Sequence, residues 1–225
     1  SSFYRILHER GLLERMEHDF VLAADEFHHK TKFANEMRQT DFTYFKVKDW
    51  GWYYLSTVID DYSRYIIHWE LCSSMTSEDV SRTIDKAIEK AGVALQNPPC
   101  LLSDNGPCYI ASSLKQYLCK EYNIKHIHGK PFHPQTQGKI ERYHRSMKNV
   151  IKLNHHFCPS ELEKAIDGWV KYYNESRFHE SLDNLTPREV YLGQGEKIKR
   201  IRETIKQNSI NKRIFENKRM ILQHK

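Results

Sequence analysis

Between residues 38 and 71 the chain carries three consecutive runs rich in aromatic and β-branched residues, and at Thr76 its hydrophobic period changes from two to 3.6. That switch constrains the fold more than any other feature, because an antiparallel meander followed by alternating helices and strands admits few sheet topologies. The runs are 38–47, 52–59 and 65–71. In the first, Phe42, Tyr44 and Lys46 fall on one parity and Thr43, Phe45 and Val47 on the other, which predicts a strand covered on both faces. Lys48, Asp49, Trp50 and Gly51 supply a hairpin turn, and DDYSR at 60–64 supplies the second connection. After the switch, Thr76 caps a helix with Asp79 at its third position. Val80, Ile84, Ala87, Ile88 and Ala91 line one face of that helix, and Gly92 closes it. Pro98 and Pro99 precede a short strand at 100–103. Residues 113–122 read as a helix packed through Leu114, Tyr117 and Leu118, 123–127 as a strand, 129–134 as a loop and 135–152 as a long helix. The expected fold class is α/β, a mixed five-stranded sheet of three antiparallel and then two parallel strands, flanked by helices.

Downstream of this core (38–156) the chain reads as a separable helical extension over 157–193. Ser160 and Glu163 form a capping-box pattern after Pro159, and Leu162, Ile166, Trp169, Val170 and Tyr173 form an apolar face. Thr186, Pro187 and Glu189 start a further helix that Gly193 stops. The tail at 194–225 is basic, with Ile198, Ile201, Ile205, Ile210, Ile214 and Ile221 at approximate helical spacing. It is either a partly ordered solvated tail or a basic docking or nucleic-acid-binding arm. Residues 1–20 begin in mid-pattern, as the tail of a preceding unit or as an ordinary N-terminal helix, and 21–37 read as a linker.

The balance of 35 Lys and Arg against 29 Asp and Glu gives a net charge of +6 and a pI of about 8.9, which suits a polyanionic partner without naming one. Five cysteines with no C-x-x-C pair fit a reduced compartment better than a disulfide framework. With no long apolar segment and no signal-peptide core, the expectation is a soluble, cytoplasmic protein without a membrane partner.

Three carboxylates stand in suggestive places. Asp104 follows the strand CLLS directly, with Asn105 and Gly106 permitting a sharp turn; Asp41 lies near the start of the first strand; Glu141 lies in the first turns of the helix QTQGKIERYHRSMKNVIK. If they converge, they make a hard oxygen-donor site suited to Mg²⁺ or Mn²⁺, and a pair of such ions serves phosphodiester cleavage or transfer. Each can equally be a cap, a turn or a surface residue, and Asp25 and Asp61 are local rivals to Asp41. Glu141, Arg145, Lys148 and Lys152 are spaced four, three and four residues apart, so they share a helix face able to track a phosphate backbone. The same pattern also describes a solvated helix with a Glu141–Arg145 pair.

The strings DFTYF, YYLSTVIDDYSRYIIHW, LLSDNGPCYI, HPQTQGKIERYHRSMK and YYNESRFHESLDNLTPREVY, in that order over about 38–192, resemble the integrase-core (rve-type) DDE transposases of bacterial insertion sequences, relatives of retroviral integrases. The resemblance implies an RNase H-like fold with a helical C-terminal extension, and metal-dependent cleavage of DNA ends followed by strand transfer. It implies a catalytic triad of Asp41, Asp104 and Glu141 holding two Mg²⁺ or Mn²⁺ ions. Double-stranded DNA, both transposon ends and target, is the implied partner of a homodimer or higher assembly. Related readings are an RNase H-like nuclease that does not join strands and a non-catalytic, transposase-derived DNA-binding protein. By the same resemblance Asp60 and Arg64 are structural hairpin residues, with Asp61 beside them solvated. His133, Gln135, Lys139, Arg142, Arg145, Lys148, Lys152 and Arg177 are candidate DNA contacts, Arg177 within a YN-x-x-R-x-H-x-x-L pattern that also contains Tyr173, Asn174, His179 and Leu182. Residues 1–20 correspond to a remnant of an N-terminal recognition domain. Thirty-six residues, 105–140, separate Asp104 from Glu141, one more than is usual in the family.

Overall fold

A computed structural model describes residues 30–92, 98–129 and 137–223. Strands β1 (Met37–Val47), β2 (Gly51–Asp60) and β3 (Ile66–Cys72) form the antiparallel meander, followed by helix α1 (Ser77–Ala91). Then come β4 (Cys100–Ser103), the one-turn helix α2 (Pro107–Ile110), α3 (Ser112–Tyr122) and β5 (His126–His128). Helices α4 (Gly138–Ile151), α5 (Pro159–Glu175), α6 (Pro187–Tyr191) and α7 (Gly195–Gln223) complete the order, with a 3₁₀ turn at Glu180–Leu182 between α5 and α6. The sheet runs β3-β2-β1-β4-β5, antiparallel from β3 to β1 and parallel from β1 through β4 to β5. This is the mixed sheet that the sequence predicts. β4 pairs only with Met37–Gln39 of β1, so from Thr40 onward that side of β1 carries no strand among the described residues.

The predicted caps hold at two helices. Thr76 and Asp79 form a reciprocal capping box, with Gly92 left-handed at the far end (φ 59°), and Thr186 with Glu189 forms another. At α5 the expected Ser160–Glu163 box is absent. The helix starts two residues earlier, with Cys158 at the cap position and Pro159 in the first turn, where its missing N–H is no loss. β5 lies later than the expected 123–127, because Asn123 takes the left-handed conformation (φ 52°) that ends α3. α2 was not expected; four residues are too short a window for a helical period to show.

β1 is buried on both faces over Met37–Thr40 and then alternates, with Phe45 and Val47 inside and Tyr44 and Lys46 exposed. On one side of the sheet, Phe45, Val47, Leu55 and Ile59 pack with Ile140, Tyr143, Met147 and Ile151 of α4 and with Leu162, Ile166, Trp169, Val170 and Tyr173 of α5. The helical extension is therefore not separable, since α5 completes the core of the sheet. Asn174 fastens it further, its side-chain carbonyl accepting from Ile66 N–H at 2.9 Å and its amide donating to Ile66 C=O at 3.0 Å. The YN pattern thus continues the edge of β3 with a side chain. On the other side, Leu101 and partly buried Phe42 pack with Val80, Ile84, Tyr109, Leu114 and Leu118.

The expected linker also ends earlier than residue 37. Asn35 N–H donates to Asp60, Thr31 donates to Asp61, and Cys100 N–H donates to Glu36 C=O, so residues from 31 onward belong to the core unit. The N-terminal remnant and most of the linker lie outside the described residues. The tail is one continuous 29-residue helix, α7, whose isoleucines at 201, 205, 210 and 214 are exposed. No described helix is long and apolar enough to cross a membrane.

Candidate active site

Two acidic corners lie at the same end of β1 and β2. The first is built by Asp60 and Asp61, where β2 turns toward β3. Asp60 is fully buried and accepts from Ser63 N–H (2.8 Å), Ser63 Oγ (2.6 Å) and Asn35 N–H (2.7 Å). Burial nevertheless raises its pKa, against the lowering pull of those bonds and of Arg38. Asp61, expected to be solvated, is only 4% exposed. Its carboxylate takes Lys139 Nζ (2.7 Å), Gln39 Nε2 (2.7 Å) and Thr31 Oγ1 (2.6 Å), and Lys139 also donates to the Asp61 carbonyl. A polar turn residue appears solvated when its donors come from remote strands and helices, which local reading does not see. Arg64 adopts φ 63° in this turn, in keeping with a structural role.

Gln39 links this corner to α4. While its amide N–H binds Asp61, its side-chain oxygen accepts from Ile140 N–H at 3.2 Å. The N-terminus of α4 has no side-chain cap of its own, so a residue of β1 supplies the acceptor that the first turn lacks. Glu141 is thereby held at the start of a helix docked across β1.

The second corner holds Asp41 and Asp104. Asp41 follows Gln39 on the same face of β1, and its Oδ2 lies 3.3 Å from His144 Nδ1 of α4. The other ring nitrogen of His144 is 3.3 Å from Thr57 Oγ1 of β2. Asp104 lies just past β4, with Oδ1 accepting from Gly106 N–H at 2.9 Å. A Cβ at Gly106 would stand 3.0 Å from that oxygen, so the glycine of SDNG allows the carboxylate to sit against the turn. The Asp104 pKa is raised, first by burial and then by the negative charge of Asp41, while the Gly106 N–H and His128 pull the other way. The two carboxylates therefore sense each other. Glu141 is exposed and stands one turn before His144, on the adjoining face of α4. Among the described residues no three His, Cys, Asp or Glu side chains are close enough together to hold one ion; Asp41 and Asp104 are brought near each other, and Glu141 is not drawn into that cluster.

His144 is the residue that sequence reasoning missed. Its signal is its place three residues after Glu141, which puts it on the face turned toward Asp41. At the end of β4, Ser103 Oγ meets His126 Nε2 of β5 at 2.8 Å and donates to the Asp104 carbonyl. Ser103 is fully buried, and burial, followed by the neighbouring His128 and Lys115, lowers the His126 pKa to about 4. This pair is a buried strut, because the seryl proton is already committed to a carbonyl. Tyr109 and Tyr143 are buried too, with pKa values pushed well up by burial.

The basic side chains divide between several surroundings. Lys139 is engaged by Asp61, so its ammonium serves the fold first. Arg142 lies within electrostatic reach of Arg64, whose pKa burial lowers, and of Tyr173, whose pKa burial raises to about 12. Arg177 stacks its guanidinium over Trp169 and Tyr173, 5.8 and 5.7 Å from the ring centroids. Arg145 is exposed, and Lys148, whose pKa burial and then Lys152 lower, lies within electrostatic reach of Asp41. His133, Gln135, Asp25 and the loop that would hold the extra residue lie outside the described residues.

Comparison with known proteins gives a consistent picture. Residues 32–134 match an integrase core domain model and residues 122–187 match a second model of the same description. The Pol-related polyprotein of a mouse intracisternal A-particle is 37% identical over 79 residues, 35% of this chain and 9% of that one, so the chain spans under a tenth of that relative. An uncharacterized protein of insertion element IS136 from Agrobacterium fabrum is 28% identical over 140 residues, covering 60% of this chain and 71% of that one. The HTLV-2 integrase catalytic core in complex with magnesium, solved in trimeric and dimeric forms, superposes with TM-scores of 0.58 and 0.57 at 22% identity, over 72% of this chain and 99% of that one. The fold is thus that of retroviral integrase cores, the RNase H-like fold.

Proposed function

Because the chain belongs to the integrase-core family of rve-type transposases and integrases, we propose that it is the divalent-metal-dependent transposase of a mobile DNA element, cleaving DNA ends and joining them to target DNA. The observation that carries this reading is the Asp41–Asp104 pair, one carboxylate on β1 two residues past its pairing with β4 and one just past the end of β4, faced by the helix that bears Glu141. The pair fits a hard cation: its donors are all oxygen, and the charge of Asp41 raises the energetic cost of ionising Asp104. Asp41 and Asp104 would hold Mg²⁺ or Mn²⁺, with Glu141 completing the set from α4. Such ions, when bound, supply charge neutralisation at the phosphodiester and its leaving oxygen.

The remaining steps fall to the chain's own residues. The reaction is two in-line displacements at phosphorus. Water attacks the phosphodiester at the DNA end and expels a 3′-hydroxyl, leaving the phosphate on the removed flank. That hydroxyl then attacks a target phosphodiester and expels the target strand's own 3′-hydroxyl. No side chain serves as nucleophile, in keeping with the burial of Ser103, Tyr109 and Tyr143. His144, held by Thr57, fixes the orientation of the Asp41 carboxylate, and Gly106 N–H fixes that of Asp104. Arg145, Lys148 and Lys152 on α4 bind backbone phosphates, with His133 and Gln135 ahead of the helix as further contacts. Lys139 and Arg177 act chiefly by holding α4 and α5 in place, and exposed Arg142 is a further phosphate contact. The working form is a homodimer or larger assembly on double-stranded DNA; the dimeric and trimeric HTLV-2 cores support this part of the reading.

The test is incubation with a precleaved end of the parent element and a plasmid target in Mg²⁺. Joined product that disappears in Asp41→Asn, Asp104→Asn and Glu141→Gln supports the proposal. Nicking without joining would reassign the chain as a nuclease, and full activity in any of the three variants would remove that residue from the site.

A further inference from the structure

Beyond Asp41, the open side of β1 and the later turns of α4 run in the same direction. His144 meets Asp41, Lys148 Nζ sits 4.3 Å from the ring centroid of Tyr44, and Lys152 shares a cavity with Lys46. That cavity, of about 520 Å³, lies between the β1–β2 hairpin and the segment leaving α4, with Tyr44, Trp52 and Phe157 among its walls. Tyr44 and Trp52 meet edge to face at 5.4 Å, yet 53% and 51% of their surfaces stay exposed. Lysines 46, 48 and 152 and two histidines line the cavity, and among the described residues no carboxylate does. Lys46 Nζ lies 5.7 Å from the Trp52 ring centroid as well, and half-exposed aromatic rings beside lysines are what a nucleic-acid strand with unpaired bases requires, since any base can stack on a ring while lysines follow its phosphates.

We infer that this cavity takes an unpaired nucleotide of the DNA strand that passes through the active site, its base on Tyr44 and Trp52 and its phosphates beside Lys46, Lys48 and Lys152. The inference rests on the reading of Asp41 and Asp104 as the reacting centre. Lys46 lies five positions beyond Asp41 along β1, about 17 Å at roughly 3.3 Å per residue. Duplex rise is about 3.4 Å per phosphate along one strand and an unstacked strand spans more, so the cavity lies at most roughly five positions from the reacting phosphate. A continuous duplex offers no free base face there, so the site selects ends whose strands are splayed or overhanging. A second copy of the chain is a poorer occupant, because a two-fold contact would bring the same lysines against one another.

The test uses the full chain carrying Asp104→Asn, so that binding is read without chemistry. Its affinity at fixed salt is measured by fluorescence anisotropy for a blunt duplex and for a duplex of equal phosphate number with a single-stranded overhang. The overhang is expected to bind about tenfold more tightly, the scale of one base–aromatic stack. Tyr44→Ala with Trp52→Ala is expected to abolish that preference while leaving the blunt-duplex affinity and the melting temperature near those of the parent, and Trp52→Phe is expected to retain it. Equal binding of the two DNAs, or a double variant that keeps the preference, overturns the inference. So does a dimer that dissociates when Trp52 is replaced, which would assign the cavity to a second copy. Any of these results leaves the joining reaction standing, just as an active Asp104→Asn protein would overturn the reaction and leave a measured overhang preference intact.

Discussion

The two acidic corners of this protein contain the same chemical groups and do opposite things with them. Asp60 and Asp61 are buried and surrounded by donors: the backbone and hydroxyl of Ser63, the backbone of Asn35, and the side chains of Gln39, Thr31 and Lys139. Asp41 and Asp104 have, among the described residues, one imidazole at 3.3 Å and one N–H at 2.9 Å. A carboxylate whose oxygens are filled by the protein is used up in holding it together. A pair left with few donors and within reach of each other keeps capacity for a cation that the fold does not supply. The difference lies in which remote residues reach each corner, and this is why Asp61 and Asp41 compete on equal terms in a local reading.

The largest expected effect comes from removing a charge at the sparse corner. Asp104→Asn should lower joining and cleavage by at least about a thousandfold, near 4 kcal/mol of transition-state stabilisation, with an unchanged or slightly raised melting temperature because Asp41 loses its like-charged neighbour. A thermal scan beside a strand-transfer assay checks both halves. The matching change at the filled corner is Lys139→Met. It should cost about 2 kcal/mol of stability by stranding Asp61, less than a fully buried pair because Lys139 keeps about a third of its side chain in water. Urea denaturation measures that cost, and a loss of activity in excess of the unfolded fraction would give Lys139 a direct part in DNA contact.

Between the corners, His144→Ala should reduce turnover by about tenfold, near 1.4 kcal/mol, by freeing the Asp41 carboxylate. His144→Gln, which keeps a donor, should recover part of the loss. Acid should act elsewhere. Burial, reinforced by nearby lysines for His68 and by Arg64 and Arg177 for His179, lowers both pKa values from 6.5 to about 4. The unfolded chain takes up these protons first, so stability is full above about pH 6.5 and falls as pH drops toward 4. The loss should be on the order of 1 kcal/mol per histidine, discounted because both rings remain partly in water. Denaturation midpoints of His68→Gln and His179→Gln should show a flatter slope in that window.

The sheet was legible because its signals are local. Alternation within β1, the Thr76–Asp79 box and Gly92 each act over a few residues, and the strand order follows once the period changes. The position of α5 was not legible, because an apolar helix face such as Leu162, Ile166 and Trp169 states that something covers it without saying what. The same limit applies at the site. Asp41 and Asp104 could be named from the turn, the strand and the resemblance, whereas His144 and Gln39 act through contacts between α4 and β1 that are separated by about a hundred residues in sequence. Lys139, Arg142 and Arg177 read as DNA contacts from their charge, and only packing shows that a carboxylate, a neighbouring arginine and two aromatic rings are their immediate surroundings.

The contrast between the corners is tested most directly by Mn²⁺ binding, followed by electron paramagnetic resonance, in Asp104→Asn and Asp61→Asn proteins beside the parent. The account predicts that Asp104→Asn loses Mn²⁺ binding and keeps its melting temperature, while Asp61→Asn keeps Mn²⁺ binding and melts earlier. Mn²⁺ retained by Asp104→Asn and lost by Asp61→Asn would contradict it.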